Sequence, residues 1–208
     1  IRGTESYDQW GTLILFPEDA PAAVPYVTAE NQVIKDVAEW QKYVKVPDLM
    51  AKCQDGWEDA IAAEKAIDHD KYLTMVVMGT GIFEQLHMLM TFEDTLMNFL
   101  LEPEAMHELI DVICEYRLTY MKLICEHLHP DCIVSHDDWG SKTSLFMNPD
   151  TWREFFKEPY RKLYDYLHSQ NVIVMHHGDS YMEPIVEDMA EIGVDIWQGV
   201  LPTNNIKA

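Results

Sequence analysis

The chain has 208 residues and 24.2 kDa, with 48% apolar and 25% charged residues, the make-up of a soluble globular protein with one good core or two small ones. Its 36 acidic residues against 15 basic ones give a formal net charge of −21, which argues against nucleic acid and anionic membranes as partners, because their phosphates would be repelled. Most of that charge reads as a solvated acidic surface.

The first residues, Ile1-Arg-Gly-Thr-Glu5, lack the basic-then-apolar pattern of a signal peptide, and no apolar run approaches ~18 residues. A cytoplasmic chain is therefore expected, and its abrupt ends suggest an excerpt of a longer protein. Residues 1–28 read as irregular, with a turn and short strand over residues 8–16 and a loop over residues 17–25 that carries three prolines. Glu5, Tyr7, Asp8 and Trp10 form a polar-aromatic cluster, either a pocket wall or a surface turn. From Thr28, a candidate N-cap, Val33, Val37, Trp40 and Val44 fall on one helical face as far as Pro47. A second helix is expected over residues 56–67, with Trp57, Ile61 and Ala62 inward.

Residues 72–78 are a continuous apolar run of strand length, suited to a strand buried on both faces. Gly79-Thr80-Gly81 then opens a helix through Phe83, Leu86 and Leu89. The pair lacks the third glycine of a dinucleotide fingerprint, so it reads as tight strand-to-helix geometry and a nucleotide site is rejected. Residues 92–101 form a short helix. Pro103 then starts a long one, in which Met106, Leu109, Ile110, Ile113, Leu118, Met121 and Ile124 mark a buried stripe. The next strand is residues 131–135, with His136-Asp-Asp-Trp-Gly140 at its carboxyl end. Asn148-Pro149-Asp150 is a cap-and-proline start for another long helix through Leu167. The strand from Asn171 ends in His176-His177-Gly178-Asp179, a helix follows from near Tyr181 to Gly193, and residues 194–198 close the pattern. The four cysteines (Cys53, Cys114, Cys125, Cys132) have no Cys-x-x-Cys spacing and are expected as buried reduced thiols.

Strands alternating with helices and no hairpin signal between them imply an α/β fold with a parallel sheet and right-handed crossovers. Four strands are too few to close a (β/α)8 barrel, which needs about 250 residues, so a doubly wound open sheet and a truncated barrel both remain on physics alone. Three strand ends carry polar groups: His136/Asp137/Asp138, His176/His177/Asp179, and Gln198 with Asn204 and Asn205. In a parallel sheet these share one edge, where such proteins build their sites. His177 and Asp179, two apart in a loop, can face one ion with zinc-compatible donors, given a third ligand. The structural alternatives are an N-cap role for Asp179 and a turn or cap role for Asp138. Asp138 can also accept hydrogen bonds from an NH-bearing substrate. Most of the twelve methionines and six tryptophans fall at core spacing, but Trp139, Trp197 and Phe83 sit at or beside strand ends.

The run His136-Asp-Asp-Trp-Gly-Ser-Lys-Thr-Ser-Leu-Phe-Met-Asn-Pro-Asp-Thr-Trp-Arg-Glu-Phe-Phe-Lys-Glu-Pro-Tyr160, with the βα unit over residues 171–200, resembles the uroporphyrinogen decarboxylase superfamily. The similarity extends from about Val76 to Pro202. It implies a (β/α)8 TIM barrel, incomplete in this chain, as a single partial domain over residues 1–208 with its site at the carboxyl ends of the strands. Members are either cofactor-free decarboxylases of tetrapyrrole acetate groups or cobamide-dependent methyltransferases, which use zinc and a methyl group carried on a corrinoid. Laid on Pro184-Ile-Val-Glu-Asp-Met189, the methyltransferase pattern puts its ligand histidine at His177 and its ligand cysteine at Asp179, with the third ligand beyond Ala208. Carboxylate in place of thiolate makes a harder ligand set. The basic N-terminal motif of the decarboxylases is not found, Asp138 stands where they have serine, and their tyrosine after Gly79 is missing.

The resemblance thus favours a corrinoid-linked methyltransferase or demethylase component. In it His177 and Asp179 would hold a divalent metal such as zinc, Asp138 and His136 would orient the substrate, and Phe83, Trp139 and Gln198 would contact it. Its partners would be a corrinoid protein or a small methyl donor or acceptor, with a homo-oligomer as a further expectation. The alternatives are a decarboxylase with Asp138 on the pyrrole NH groups, and a non-catalytic barrel docking a corrinoid protein through its acidic surface.

Overall fold

The structure, a computed structural model, describes residues 1–53 and 55–206. In chain order the first elements are β1 (Thr4–Tyr7), β2 (Leu13–Phe16), β3 (Val24–Pro25), a 3-10 segment (Val37–Lys42), α1 (Leu49–Lys52) and α2 (Glu58–Lys65). Next come β4 (Met75–Met78), α3 (Ile82–Leu89), α4 (Phe92–Leu101), α5 (Pro103–Leu128) and β5 (Cys132–His136). The chain continues through α6 (Pro149–Trp152), α7 (Glu158–Ser169), β6 (Ile173–His177), α8 (Val186–Glu191) and β7 (Ile196–Gln198). Two compact units result: Ile1–Pro47 with Phe83–Val112, and Asp48–Ile82 with the chain from Ile113 onward.

In the first unit residues 1–28 are more regular than expected. β1 and β2 form an antiparallel hairpin from Thr4↔Phe16 to Tyr7↔Leu13, and β3 pairs with β2. The turn is built by Asp8, whose carboxylate accepts the N–H groups of Trp10 and Thr12 at 2.8 Å each. A short carboxylate folding back on its own main chain is a turn device, and it accounts for Asp8 in the polar cluster read there, while Glu5 and Tyr7 are exposed on β1. The helix expected from Thr28 is also corrected. The Thr28 N–H is accepted by Asn31 Oδ1 in a turn, and only Val37–Lys42 is helical, capped by Asp36. Within the segment Val37 and Trp40 are buried, three apart as 3-10 geometry favours, Ile34 is buried just before it, and Val33 and Val44 are half-buried. α4 begins where expected, with the Thr91 hydroxyl accepting the Asp94 N–H at 3.1 Å.

The second unit holds the parallel sheet in the order β4-β5-β6-β7. A doubly wound sheet reverses its strand order at a switch point. Here sequence order and spatial order coincide, which is the arrangement of a barrel wall, open in this chain. The Asp131 carboxylate pins β4 to β5 by accepting both the N–H and the hydroxyl of Thr74, at 2.7 and 3.0 Å. β4 is an edge strand: Met75 and Val77 are 55% and 69% exposed, so the expected burial on both faces does not occur. α2 likewise lies on the surface. Ala62 is exposed, and Trp57 is half-buried, stacked on His127 at 4.4 Å.

The core of this unit lies between the sheet and the helices after β5. Ile133 and Val174 on the sheet and Phe155, Phe156, Leu163 and Leu167 on the helical side are all at 0–1% exposure. The Asn148 side chain accepts the Thr151 N–H at 2.8 Å and Pro149 occupies the first turn, as expected. The following helix is not uniform: Arg153–Lys157 widen to a π turn just before Pro159, which cannot donate to the Phe155 carbonyl. Arg153 and Lys157 converge on Asp188 at 2.9 and 2.6 Å and hold α8. None of the four cysteines forms a disulfide, and three of them are buried. No helix among the described residues is long and apolar enough to cross a membrane.

Ile133 is on a central strand at 0% exposure, so Ile133→Ala leaves a cavity that the flanking strands cannot fill. A loss of about 2–5 kcal/mol is expected in urea denaturation, without a change in slope.

Candidate active site

β5 and β6 run parallel with His136 opposite His177, and each strand end reads His-x-Asp: His136-Asp137-Asp138 and His177-Gly178-Asp179. The register therefore superposes two copies of one motif. The two rings stack at 4.5 Å between centroids and 22° between planes. Asp138 Oδ1 accepts the main-chain N–H of Asp179 at 3.1 Å. Ligand atoms of His136 and Asp138 lie within 4.8 Å of one another. Among the described residues, no set of three His, Cys, Asp or Glu side chains at that spacing includes His177 or Asp179.

β7 adds Gln198, opposite His177 in the ladder, and its Oε1 accepts from His177 Nδ1. An amide oxygen only accepts, so Nδ1 carries the proton and Nε2 the lone pair. Gln198 thus touches His177, where a substrate contact was expected. His136, Asp138 and His177 are half-buried, while Asp179 and Gln198 are exposed.

The loop after β6 is shaped by its neighbours. The Gly178 N–H donates to Gln198 O at 3.1 Å, and Trp197 Nε1 donates to Gly178 O at 2.9 Å. Gly199 has φ +98°, and a Cβ there would lie 2.9 Å from the Gly178 oxygen. Asn204, expected near the site, is a buried clamp: Oδ1 accepts the Met182 N–H at 2.7 Å and Nδ2 donates to Ser180 O at 3.1 Å. Asp179 caps nothing, since the next helical segment starts at Glu183 with no side-chain cap.

Beneath these residues lies a fully buried polar layer. Asp137 is at 0% exposure, and its Oδ2 accepts from Trp139 Nε1 at 2.9 Å and from the Tyr160 hydroxyl at 2.5 Å. The Tyr160 oxygen in turn accepts the Ile82 N–H at 3.0 Å. A Cβ on Gly81 would lie 2.0 Å from Asp137 Cγ, so the glycine pair after β4 makes room for this carboxylate. His176 donates from Nε2 to Asp137 O at 3.1 Å and accepts from the Tyr164 hydroxyl at Nδ1, 2.9 Å away. Arg117 of α5 donates to the carbonyl of Thr80 and to Ser135 Oγ.

Burial, ahead of all other causes, lowers the His176 pKa to about 3. Burial first, and then the Asp137 charge, holds the Tyr160 hydroxyl well above its ordinary value, so it stays a donor.

Two expected substrate contacts are corrected by this layer. Trp139 has no exposed surface and is enclosed by His176, Trp152 and Tyr160 at 4.2, 4.9 and 5.1 Å. A buried indole N–H needs an acceptor, and Asp137 supplies it from within the core. Phe83 is also at 0% exposure, and packs edge-on to His87 and Phe92 inside the first unit. Asp137 was read only as one of the strand-end polar groups, Gly81 as tight strand-to-helix geometry and Tyr160 as part of a helix, so their joint role in a buried layer was missed. Period-two alternation through His136-Asp137-Asp138 was the available signal, because it turns Asp137 away from the face its neighbours share.

A family model described as Uroporphyrinogen decarboxylase (URO-D) matches residues 11–199. No curated protein matches the chain.

The buried neutral His176 makes stability pH-dependent. Its folded pKa, about 3, lies below the ordinary 6.5, so between those values the unfolded chain binds a proton that the native chain does not. Stability from this group is complete above pH 6.5 and falls as pH drops toward 3, by roughly 1.4 kcal/mol per unit within that window. Chemical denaturation at pH 7.5, 5.5 and 4.5 is expected to show that decline, and His176→Gln is expected to flatten it.

Proposed function

The chain belongs to the uroporphyrinogen decarboxylase family, a family of enzymes, and from that membership we propose that it is the methyltransferase component of a corrinoid-linked system, with a divalent metal at its strand-end cluster. The observation that carries this reading is the in-register His-x-Asp pair on β5 and β6. Two imidazoles and two carboxylates are a donor set that zinc accepts, and half-burial keeps water partly away without sealing the site.

The composition of the surrounding loops favours the same reading. Residues 137–148, 178–182 and 199–206 contain one cation, Lys142, and no arginine. A tetrapyrrole bearing many carboxylates would need cations there, and its decarboxylation is the second reading. His136 and Asp138, whose ligand atoms are already close, form the nucleus of the proposed site. His177 would join through Nε2 and Asp179 through its exposed carboxylate. When bound, such an ion supplies Lewis acidity toward the methyl donor or acceptor.

The chain's own residues do the positioning. Gln198 holds the tautomer of His177, and the Asp179 N–H holds one oxygen of Asp138. Beside the metal, His136 and Asp138 would orient the substrate. The corrinoid would arrive on a partner protein, and the acidic surface would select one with a basic face.

Metal analysis and two turnover assays test this. The full-length protein is expected to bind one Zn²⁺ or Co²⁺, to lose it in His136→Ala and Asp138→Ala, and to bind about 10–100-fold more weakly in Gln198→Ala. Demethylation of methylcobalamin in the presence of a thiol or related acceptor is expected to follow metal content. Conversion of uroporphyrinogen to coproporphyrinogen by metal-free protein would establish the second reading instead.

A further inference from the structure

We infer that Asp137 is a positioning residue, which from the buried layer fixes His136 and Asp138 on either side of it and His177 across the ladder. This rests on the metal-site reading for one of its two readouts, and the other is independent of it.

Alternation along an extended chain points residue 137 away from the face used by 136 and 138, and the burial agrees: Asp137 is enclosed while both neighbours are half-buried. Its side chain is held from two places in the second unit. Trp139 Nε1 lies 2.9 Å away within the same loop, and the Tyr160 hydroxyl reaches it at 2.5 Å from α7. Since Tyr160 also accepts the Ile82 N–H, the carboxylate is tied to the chain just after Gly81. Gly81 itself is shaped around it, because any Cβ would collide with Asp137 Cγ.

The main chain of Asp137 is equally engaged. Its N–H donates to His177 O at 3.2 Å, and its carbonyl accepts from His176 Nε2 at 3.1 Å. The second of these is a side-chain bond added to the ladder, and it locks the β5 end against the β6 end.

The sister motif shows why one residue serves both strands. The middle position of His177-Gly178-Asp179 is glycine, where a Cβ would come within 2.8 Å of Met182 Cε and 3.4 Å of the Asp137 oxygen. A side chain there would have to displace the Met182 methyl, and glycine supplies no carboxylate, so the side-chain anchor at this level comes from β5. Packing alone does not call for a carboxylate here. An apolar residue of similar volume would avoid the desolvation of a buried charge. What the carboxylate adds is direction: two fixed donors orient it, and it orients the chain.

The experiment uses the full-length protein with Asp137→Asn and Tyr160→Phe. The first keeps the shape and removes the charge, and the second keeps the ring and removes only the hydroxyl. Thermal melting reports folding, Co²⁺ titration with visible spectroscopy reports site geometry, and ring-nitrogen NMR of the metal-free protein reports the histidines directly. Both variants are expected to fold with a lower Tm, to bind Co²⁺ about 10–100-fold more weakly, and to show altered visible bands. The ring resonances of His136 and His177 are expected to move while those of the distant His69 do not.

A lower Tm with unchanged Co²⁺ affinity, bands and ring resonances would overturn the inference and leave Asp137 a packing residue. If the unaltered protein binds no Co²⁺, the metal reading fails by itself and the ring resonances alone decide the role of Asp137. If Asp137→Asn does not fold, Tyr160→Phe carries the same expectations.

Discussion

A carboxylate enclosed by protein costs several kcal/mol in lost hydration unless its oxygens are bonded, and Asp137 meets that cost with an indole N–H and a tyrosine hydroxyl. The arrangement of the second unit's strand ends depends on this group. Gly81 is small so that the carboxylate can approach. Trp139 is drawn inward because its donor has a partner there. Tyr160 sits in the first turn of α7 with its hydroxyl between Asp137 and the Ile82 N–H, so one side chain closes two strand-to-helix connections. An apolar layer in the same place would pack the sheet as well, but it would leave the direction of these loops to the loops themselves.

The strand ends therefore separate into two layers with different electrostatics, and neighbouring residues of the same type take opposite roles. His176 points inward, is fully buried, bonded at both nitrogens, and held neutral by burial. His177 points to the half-buried face, where Gln198 fixes which nitrogen carries the lone pair. Asp137 and Asp138 divide in the same way. The inner layer is neutral apart from Asp137 and Arg117, so its bonds are strong and its geometry stiff. The outer layer keeps its donors in contact with solvent, where a ligand can reach them. Binding groups on a rigid scaffold of this kind lose little freedom when the ligand arrives.

Much of this architecture was legible in the sequence, and the parts that were not share a cause. The parallel strands were found within two or three residues because apolar β-branched runs bounded by Gly, Pro and His are strong signals, and Asn148-Pro149 marked its helix start correctly. The strand-end polar groups were placed on the right edge by the same logic. Residues 1–47 were harder. Asp8 builds a turn through contacts with its own main chain, and Ile34, Val37 and Trp40 follow a period of three that a search for 3.6 passes over. Trp139 was read as a site wall because it stands beside a strand end. Its burial depends on Tyr160 and His176, which approach it only once the chain is folded. Local pattern gives which residues share an edge, and tertiary packing decides which of them face outward.

Family membership fixes the class of scaffold, and the chemistry belongs to the side chains placed on it. That distinction bears on the exchange of a carboxylate, Asp179, for the cysteine of the methyltransferase pattern. A lone substitution at a ligand position would weaken a metal reading. Here the neighbouring strand carries the same His-x-Asp spacing in register, and its imidazole and carboxylate have ligand atoms within 4.8 Å of one another. The proposed nucleus therefore moves from β6 to β5, and Asp179 contributes its N–H to Asp138. A set of imidazoles and carboxylates is harder than one built on thiolate, and it suits an acceptor or donor bound through oxygen or nitrogen better than one bound through sulfur. The register of the two parallel strands, with Ile133 paired to Val174 and His136 to His177, is what sets the two strand ends side by side.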